Sequence, residues 1–281
     1  MTVKRKFPIK SIFTVIVLTV MLLFALFPFF WLMRTAVTPA REAFSTKPQL
    51  LPQNLTLENL ERVISSPTIP FTRQFGNSLI VAVSTTIFVI VVGASGAYAL
   101  ARLKFKGQQT FSLSLLFIQL FPAVLLVIPL FIVMVNLKLT NSLFGLILAY
   151  STSNLPFVVW LLRGYFLSLP AELEDAARID GCTTYGVLFR IILPLAAPGI
   201  AAAATLAFVN GWNEFLVANV LINDSRLRVL SIGLTSYIDQ FGTDYSGLFS
   251  MAMLTTLPVV LVFMLFQRYI VGGLTAGAVK S

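Results

Sequence analysis

The chain has 281 residues, of which 57% are hydrophobic and 11% charged, with 20 Lys and Arg against 11 Asp and Glu, one cysteine and no histidine. A soluble domain of this length is less apolar, so the class is all-α polytopic membrane protein, and the net charge of +9 is read as topology-setting loop charge rather than a nucleic-acid surface. Disulfides, Cys/His metal sites and His-based catalysis are excluded within the chain.

Lys4, Arg5, Lys6 and Lys10 precede an apolar run at 12–33. That run is too long for a signal-peptide core and lacks a small-residue cleavage site, which predicts a retained first span. A polar segment at 34–77 follows, rich in Pro, Asn and Thr, with a short helical patch at Leu57–Ile64. The second span is expected at 78–101, where Gly93, Gly96 and Ala97 form a small-residue face suited to close helix packing. The third, fourth, fifth and sixth spans are expected at 112–135, 143–163, 196–221 and 247–271. Their apolar runs are long enough to cross a bilayer as helices, whereas open sheet edges cannot sit in lipid. The chain thus divides into an amino-terminal span with its extracytoplasmic loop, 1–77, and a core of five spans, 78–281.

With the amino terminus inside, 12 of the 20 Lys and Arg fall on that side and 8 on the other. The clusters beside short segments, Lys4 to Lys10 and Arg102 to Lys106, weigh most. Both termini are therefore expected in the cytoplasm, together with the polar interval 164–195.

That interval holds four of the eleven acidic residues: Glu172, Glu174, Asp175 and Asp180. Ser168 is suited to cap a helix, with Pro170 in its first turn. Glu172, Glu174 and Asp175 suit the positive end of its dipole. Gly181 is suited to stop it. Thr183 caps a second helix through Val187, Leu188, Ile191 and Ile192, which Pro194 ends. Leu173, Ala176, Ala177 and Asp180 share one face, whose alanines leave room for another backbone. From the residues alone, an amphipathic connector resting on lipid remains open, although acidic charge suits an anionic leaflet poorly.

The stretch resembles the EAA loop of ABC importer permeases: Glu-Ala-Ala, three residues, Gly, then about nine residues to an apolar-x-Leu-Pro ending. The matching residues are Asp175-Ala176-Ala177, Gly181 and Ile191-Ile192-Leu193-Pro194. Asp175 departs from the usual Glu, and Cys182 from a common small residue. Further likeness lies in Asn77-Ser78-Leu79, in Ala97 to Arg102 with Phe105-Lys106-Gly107, in Gly211-Trp212-Asn213, and in Gly273 to Lys280. These are similar to the binding-protein-dependent carbohydrate-uptake branch, in particular the smaller permease subunit of maltose-type systems.

The resemblance implies a type I importer permease of six spans in a bacterial-type inner (plasma) membrane, moving a sugar or oligosaccharide inward by alternating access. It implies a second homologous permease, a cytoplasmic ATPase dimer that binds ATP and Mg, and an extracytoplasmic solute-binding protein, with no cofactor or catalytic residue in this chain. It also implies that Glu172, Asp175, Ala176, Ala177, Asp180, Gly181, Leu193 and Pro194 couple the chain to the ATPase.

Polar residues inside spans are costly and commonly functional. Asn210, Asn213 and Glu214 share a helical face, and Gln119 and Asn154 sit in neighbouring spans. They either line a wet path for a hydroxyl-rich solute or bond helix to helix. Trp212 and Tyr150 either stack on sugar rings or anchor span ends. The carboxyl-terminal Gly272 to Ser281 superficially resembles a phosphate loop, but its Lys-Ser comes too late and no helix follows. The tail either reaches the ATPase or is disordered. An ion-coupled secondary transporter of a small polar solute is the alternative. It calls for several ionisable residues within spans, and only Glu214 qualifies. A membrane enzyme would lack a nucleophile or metal constellation.

Overall fold

The computed structural model describes residues 9–45, 49–239 and 242–276. The carboxyl-terminal residues 277–281 and the basic residues before Pro8 lie outside the described residues, and with them the expectations placed on Lys4, Arg5, Lys6 and Lys280. The helices in chain order are α1 (Ile9–Ala36), α2 (Ala40–Ala43), α3 (Glu58–Ser65), α4 (Phe71–Arg102), α5 (Gln108–Leu120), α6 (Ala123–Asn136) and α7 (Leu143–Ser168). Then come α8 (Glu172–Ile179), α9 (Thr184–Val187), a π-helical turn (Leu188–Ile192), α10 (Leu193–Leu195), α11 (Ala197–Asn213) and α12 (Leu216–Leu221). A 3-10 turn at Ser225–Leu227, α13 (Leu230–Thr235), the two-residue strands β1 (Ile238–Asp239) and β2 (Gly242–Thr243), and α14 (Tyr245–Ala276) complete the order.

Among the described residues, four helices are long and apolar enough to cross a membrane, and up to six spans result if each of two bent helix pairs counts as one. The third predicted span is one of those pairs. α5 and α6 meet at 105°, so 112–135 is not a continuous helix. Phe121 precedes Pro122 and adopts an extended conformation, φ −73° and ψ 133°, because the proline ring disfavours the helical region for the residue before it. The fifth span also departs from the expected 196–221. It breaks after Asn213, where Glu214 is extended at φ −65° and ψ 122°, and resumes as α12. The second begins earlier than expected, at Phe71, directly after Pro70.

The chain forms two compact units. One comprises Met1–Phe71 and Ser236–Thr255. Within it α1 exposes every side chain from Phe13 to Phe30, the surface a bilayer covers. Its loop is held by polar bonds. Asn59 Nδ2 donates to the carbonyls of Ala36 and Thr38, and Arg62 pairs with Asp244 at 2.9 Å. The Glu42 carboxylate accepts the Gln53 and Asn54 backbone N–H groups. The Gln53 bond, chiefly, keeps the Glu42 carboxyl below its ordinary range.

The other unit comprises Thr72–Thr235 and Thr256–Ser281. Its core runs from Val89, Ala97 and Tyr98 of α4 through Val158, Leu162 and Phe166 of α7 to Ala203 and Ala207 of α11. Between helices in lipid, association rests on close van der Waals packing and small residues. Gly93 shows this: a Cβ there would lie 2.9 Å from Val158 Cγ1. A second cluster joins Met134 of α6, Leu146 and Tyr150 of α7, and Val217 and Leu221 of α12. The predicted opening of the second span, Asn77-Ser78, ties down the loop between α12 and α13. Asn77 Nδ2 donates to the Arg226 and Arg228 carbonyls, and Ser78 Oγ accepts the Leu230 N–H.

Candidate functional site

The acidic loop folds as two short helices around a glycine turn. Gly181 has φ +84°. The Gly181 N–H donates to the Arg178 carbonyl at 3.0 Å and the Cys182 N–H to the Ala177 carbonyl at 2.9 Å, the two bonds of a Schellman stop. Thr183 Oγ1 accepts the Gly186 N–H and so caps α9 as expected.

Three details differ from expectation. Ser168 is the last residue of α7, and its hydroxyl donates back to the Tyr165 carbonyl. α8 starts after Ala171 with no side-chain cap, and the acidic first turn Glu172, Glu174 and Asp175 supplies the negative charge favoured there. Pro194 does not end the second helix. It lies inside α10, beyond a π-helical turn. A proline has no N–H to give the carbonyl four residues back, and the wide turn over Leu188–Ile192 lies just ahead of it. The segment Thr184–Leu195 then meets α11 at 79°. Lastly, the face with Leu173, Ala176, Ala177 and Asp180 is divided. Ala177 is buried in the core with Val187, Leu188 and Ile192, while Leu173, Ala176 and Asp180 are exposed.

The inward face of α8 is Glu174 with Ala177. Glu174 is 3% exposed and was not singled out as a site residue in the sequence. The Tyr98 hydroxyl donates to its carboxylate at 3.0 Å and Arg102 Nε at 2.5 Å. Arg102 Nη2 also donates to the Leu169 carbonyl at 2.7 Å. Opposite charges on two segments assigned to the same side of the membrane were the available signal. The outward face carries Glu172, Asp175, Asp180, Gly181 and Pro194, all exposed, with Leu193 half-buried. Among them stand large apolar side chains: Ile179 is 87% exposed and Tyr185 77%, with Phe189 also exposed. Exposed apolar groups rimmed by charge are a feature of protein–protein and membrane interaction sites alike.

The intramembrane polar residues gather elsewhere. Ser153, Asn154, Asn210, Asn213 and Glu214 line one cavity of about 310 Å³, within the range of about 300–1,000 Å³ typical of small-molecule sites. Asn154 Nδ2 is bound to the Tyr150 carbonyl, and its buried Oδ1 has no partner in the protein. Glu214 sits at the break between α11 and α12 rather than within a continuous span. Its Oε1 accepts the Val217 N–H at 2.9 Å, and its carbonyl accepts the Tyr150 and Ser231 hydroxyls. Gln119 is not among the residues lining the cavity; its Nε2 donates to the carbonyl of Ser153, which is. Trp212 and Tyr150 are both buried. Trp212 packs on Phe208 and Phe75, so neither aromatic is a span-end anchor. Among the described residues, no group of His, Cys, Asp and Glu is placed to hold a metal ion.

Residues 89–275 match the family described as binding-protein-dependent transport system inner membrane component. The chain is 36% identical to the inner membrane ABC transporter permease protein YcjP of Escherichia coli K12 over 94% of both chains. It is 35% identical to the trehalose/maltose transport system permease protein MalG of Thermococcus litoralis over 99% of both. It is 34% identical to the diacetylchitobiose uptake system permease protein DasC of Streptomyces coelicolor, over 91% of this chain and 92% of that one. In fold it resembles a chain of a bacterial ABC transporter for the acidic polysaccharide alginate. The TM-score there is 0.81 at 24% identity, covering 96% of this chain and 99% of that one. A chain of the MetNI methionine ABC transporter gives 0.60 at 19%, covering 72% and 95%.

Proposed function

The chain belongs to the family of binding-protein-dependent transport system inner membrane components, multi-pass proteins of the bacterial inner membrane, and on that premise we propose that it is the non-catalytic permease half of an ATP-driven sugar importer. Its partners are a second homologous permease, an ATPase dimer that binds ATP and Mg²⁺, and a solute-binding protein outside. Nothing in the comparisons supports the ion-coupled alternative.

The observation that carries the reading is the outward face of the 169–194 loop. Asp175 and Ile179 project from α8, and Tyr185 and Phe189 stand beyond the glycine turn, a charged and apolar surface that a cytoplasmic ATPase covers. Glu172, Asp175, Ala176, Asp180, Gly181 and Pro194 make the contact, with Leu193 at its margin. Ala177 acts from beneath by holding α8 on the core.

A carbohydrate cargo is supported by the relatives' names and by the chemistry of the cavity. Asn154, Asn210, Asn213 and Glu214 offer amide and carboxylate groups to hydroxyls, and Gln119 steadies the wall. Reversal of charge in Asp175→Arg is the test. In the complex reconstituted with both permeases, ATPase and binding protein, uptake is lost while membrane insertion stays normal. Unchanged uptake, or failure of any ATPase to co-purify with the unaltered chain, refutes the proposal.

A further inference from the structure

On the reading above, the loop that meets the ATPase has to hand its displacement to the spans. α8 has only eight residues, too few to hold its own geometry, so its partners decide what moves with it. Its covalent link to α7 is weak as a lever, because Leu169 is extended at φ −79° and ψ 139° and the helix does not continue. The stiff connection is lateral. The buried Glu174 carboxylate takes Tyr98 and Arg102 from α4, and the same arginine holds the Leu169 carbonyl. Arg178 stands 3.9 Å from the carboxylate on its exposed side. Separating a buried pair leaves each charge uncompensated in a low dielectric, so this contact resists sliding in a way that apolar packing does not.

We infer that the Glu174–Arg102 pair, with Tyr98, is a latch that makes α8 and the cytoplasmic end of α4 one body, so that α4 is the span the loop drives. Glu174 and Arg102 are positioning residues that act through α8. The same end of α4 is tied further, since its Leu100 carbonyl accepts Arg163 Nε of α7 and Gln108 Nε2 of α5. A push on α8 thereby reaches three helices through one residue turn of α4.

The inference rests on the coupling reading above, and its test separates the two. Cys182→Ser removes the chain's single cysteine, and Asn210→Cys places a thiol in the cavity. Labelling by a membrane-impermeant maleimide is followed in the whole complex, without nucleotide and with ATP, Mg²⁺ and vanadate. The unaltered latch is expected to give about a tenfold difference in labelling rate, within the span of ordinary site-to-site coupling. Glu174→Ala is expected to abolish that difference while ATP hydrolysis continues. Exchanging the charges, Arg102→Glu with Glu174→Arg, is expected to restore a large part of it, which a merely structural role would not require. If Glu174→Ala does not assemble, Glu174→Gln replaces it, expected to diminish the difference. A difference undiminished in Glu174→Ala or Glu174→Gln, or its loss without recovery in the exchanged pair, overturns the latch alone. No nucleotide-dependent difference in the unaltered chain overturns the coupling reading itself.

Discussion

Gly181 permits a quantitative experiment on the turn that sets α8 against α9. Its φ of +84° lies in the left-handed region, and a Cβ built there meets nothing within 4 Å. The cost of a side chain is therefore in the backbone, about 1–2 kcal/mol for an ordinary L-residue. Asn is tolerated in that region far better than Ala. An energy of about 1–2 kcal/mol corresponds to a factor of about 5–30 in the population of the closed turn. The Gly181 and Cys182 amides report it directly, because each closes one bond of the Schellman stop. Hydrogen exchange of the purified complex, read by mass spectrometry over this loop, should be faster by that factor in Gly181→Ala and nearly unchanged in Gly181→Asn. Equal protection in Gly181→Ala and the parent would refute the assignment of the turn's energy to its backbone. Uptake measured on the same variants divides backbone from surface. If Asn preserves the turn yet stops transport, bulk at this exposed point obstructs the docked partner.

Three further outcomes follow from the geometry. Gly93→Ala and Gly96→Ala both add the same helix preference, yet the new Cβ lies 2.9 Å from Val158 Cγ1 in the first and 3.7 Å from Val159 Cγ2 in the second; overpacking of about 1–3 kcal/mol should lower the thermal midpoint of Gly93→Ala below that of Gly96→Ala, and the reverse order would contradict the α4–α7 packing. Lys138 ends α6 with φ +58°, so Lys138→Gly should raise stability by up to about 1 kcal/mol, measured as a higher denaturation midpoint in detergent. The Glu42 carboxyl is held low chiefly by the Gln53 N–H, so its contribution to the loop is full above the ordinary carboxylate range and fades as pH falls through the lowered folded value; a titration of the Glu42 carboxyl by NMR should place its midpoint below that of Glu42 in the unfolded chain, and a midpoint at or above it would be incompatible with the bond.

The long apolar runs made the spans legible, because length and hydropathy alone decide which segments leave water. Direction was not legible. Phe121-Pro122 and Asn213-Glu214 sit within apolar stretches whose hydropathy is unchanged by a 105° bend or a break, although Pro122 did carry a local signal. In the acidic loop, Gly181 and Thr183 were read from chemistry that acts within a few residues. Glu174 was not separated from Glu172 and Asp175. What distinguishes it is the phase of α8 against Tyr98 and Arg102, more than 70 positions earlier. The common face of Asn210, Asn213 and Glu214 is legible in their helical spacing, which by itself does not separate a cavity lining from helix-to-helix bonding. That Asn154 joins them depends on how α7 packs on α11, and that Gln119 bonds to the Ser153 carbonyl instead depends on how α5 packs on α7.

The break at Glu214 also constrains how this chain can diverge. One residue there serves as capping acceptor for α12, as a carbonyl anchor for Tyr150 and Ser231, and as part of the cavity wall. A substitution that re-lines the cavity at this position simultaneously loosens a joint between two helices. Asn213, the neighbouring residue, and Asn210, about one turn earlier, border the same space without such duties among the bonds described. If the cavity is the sugar's path, as proposed above, paralogues with a different cargo can vary at those two positions independently, whereas a change at Glu214 must arrive with a compensating change at the joint.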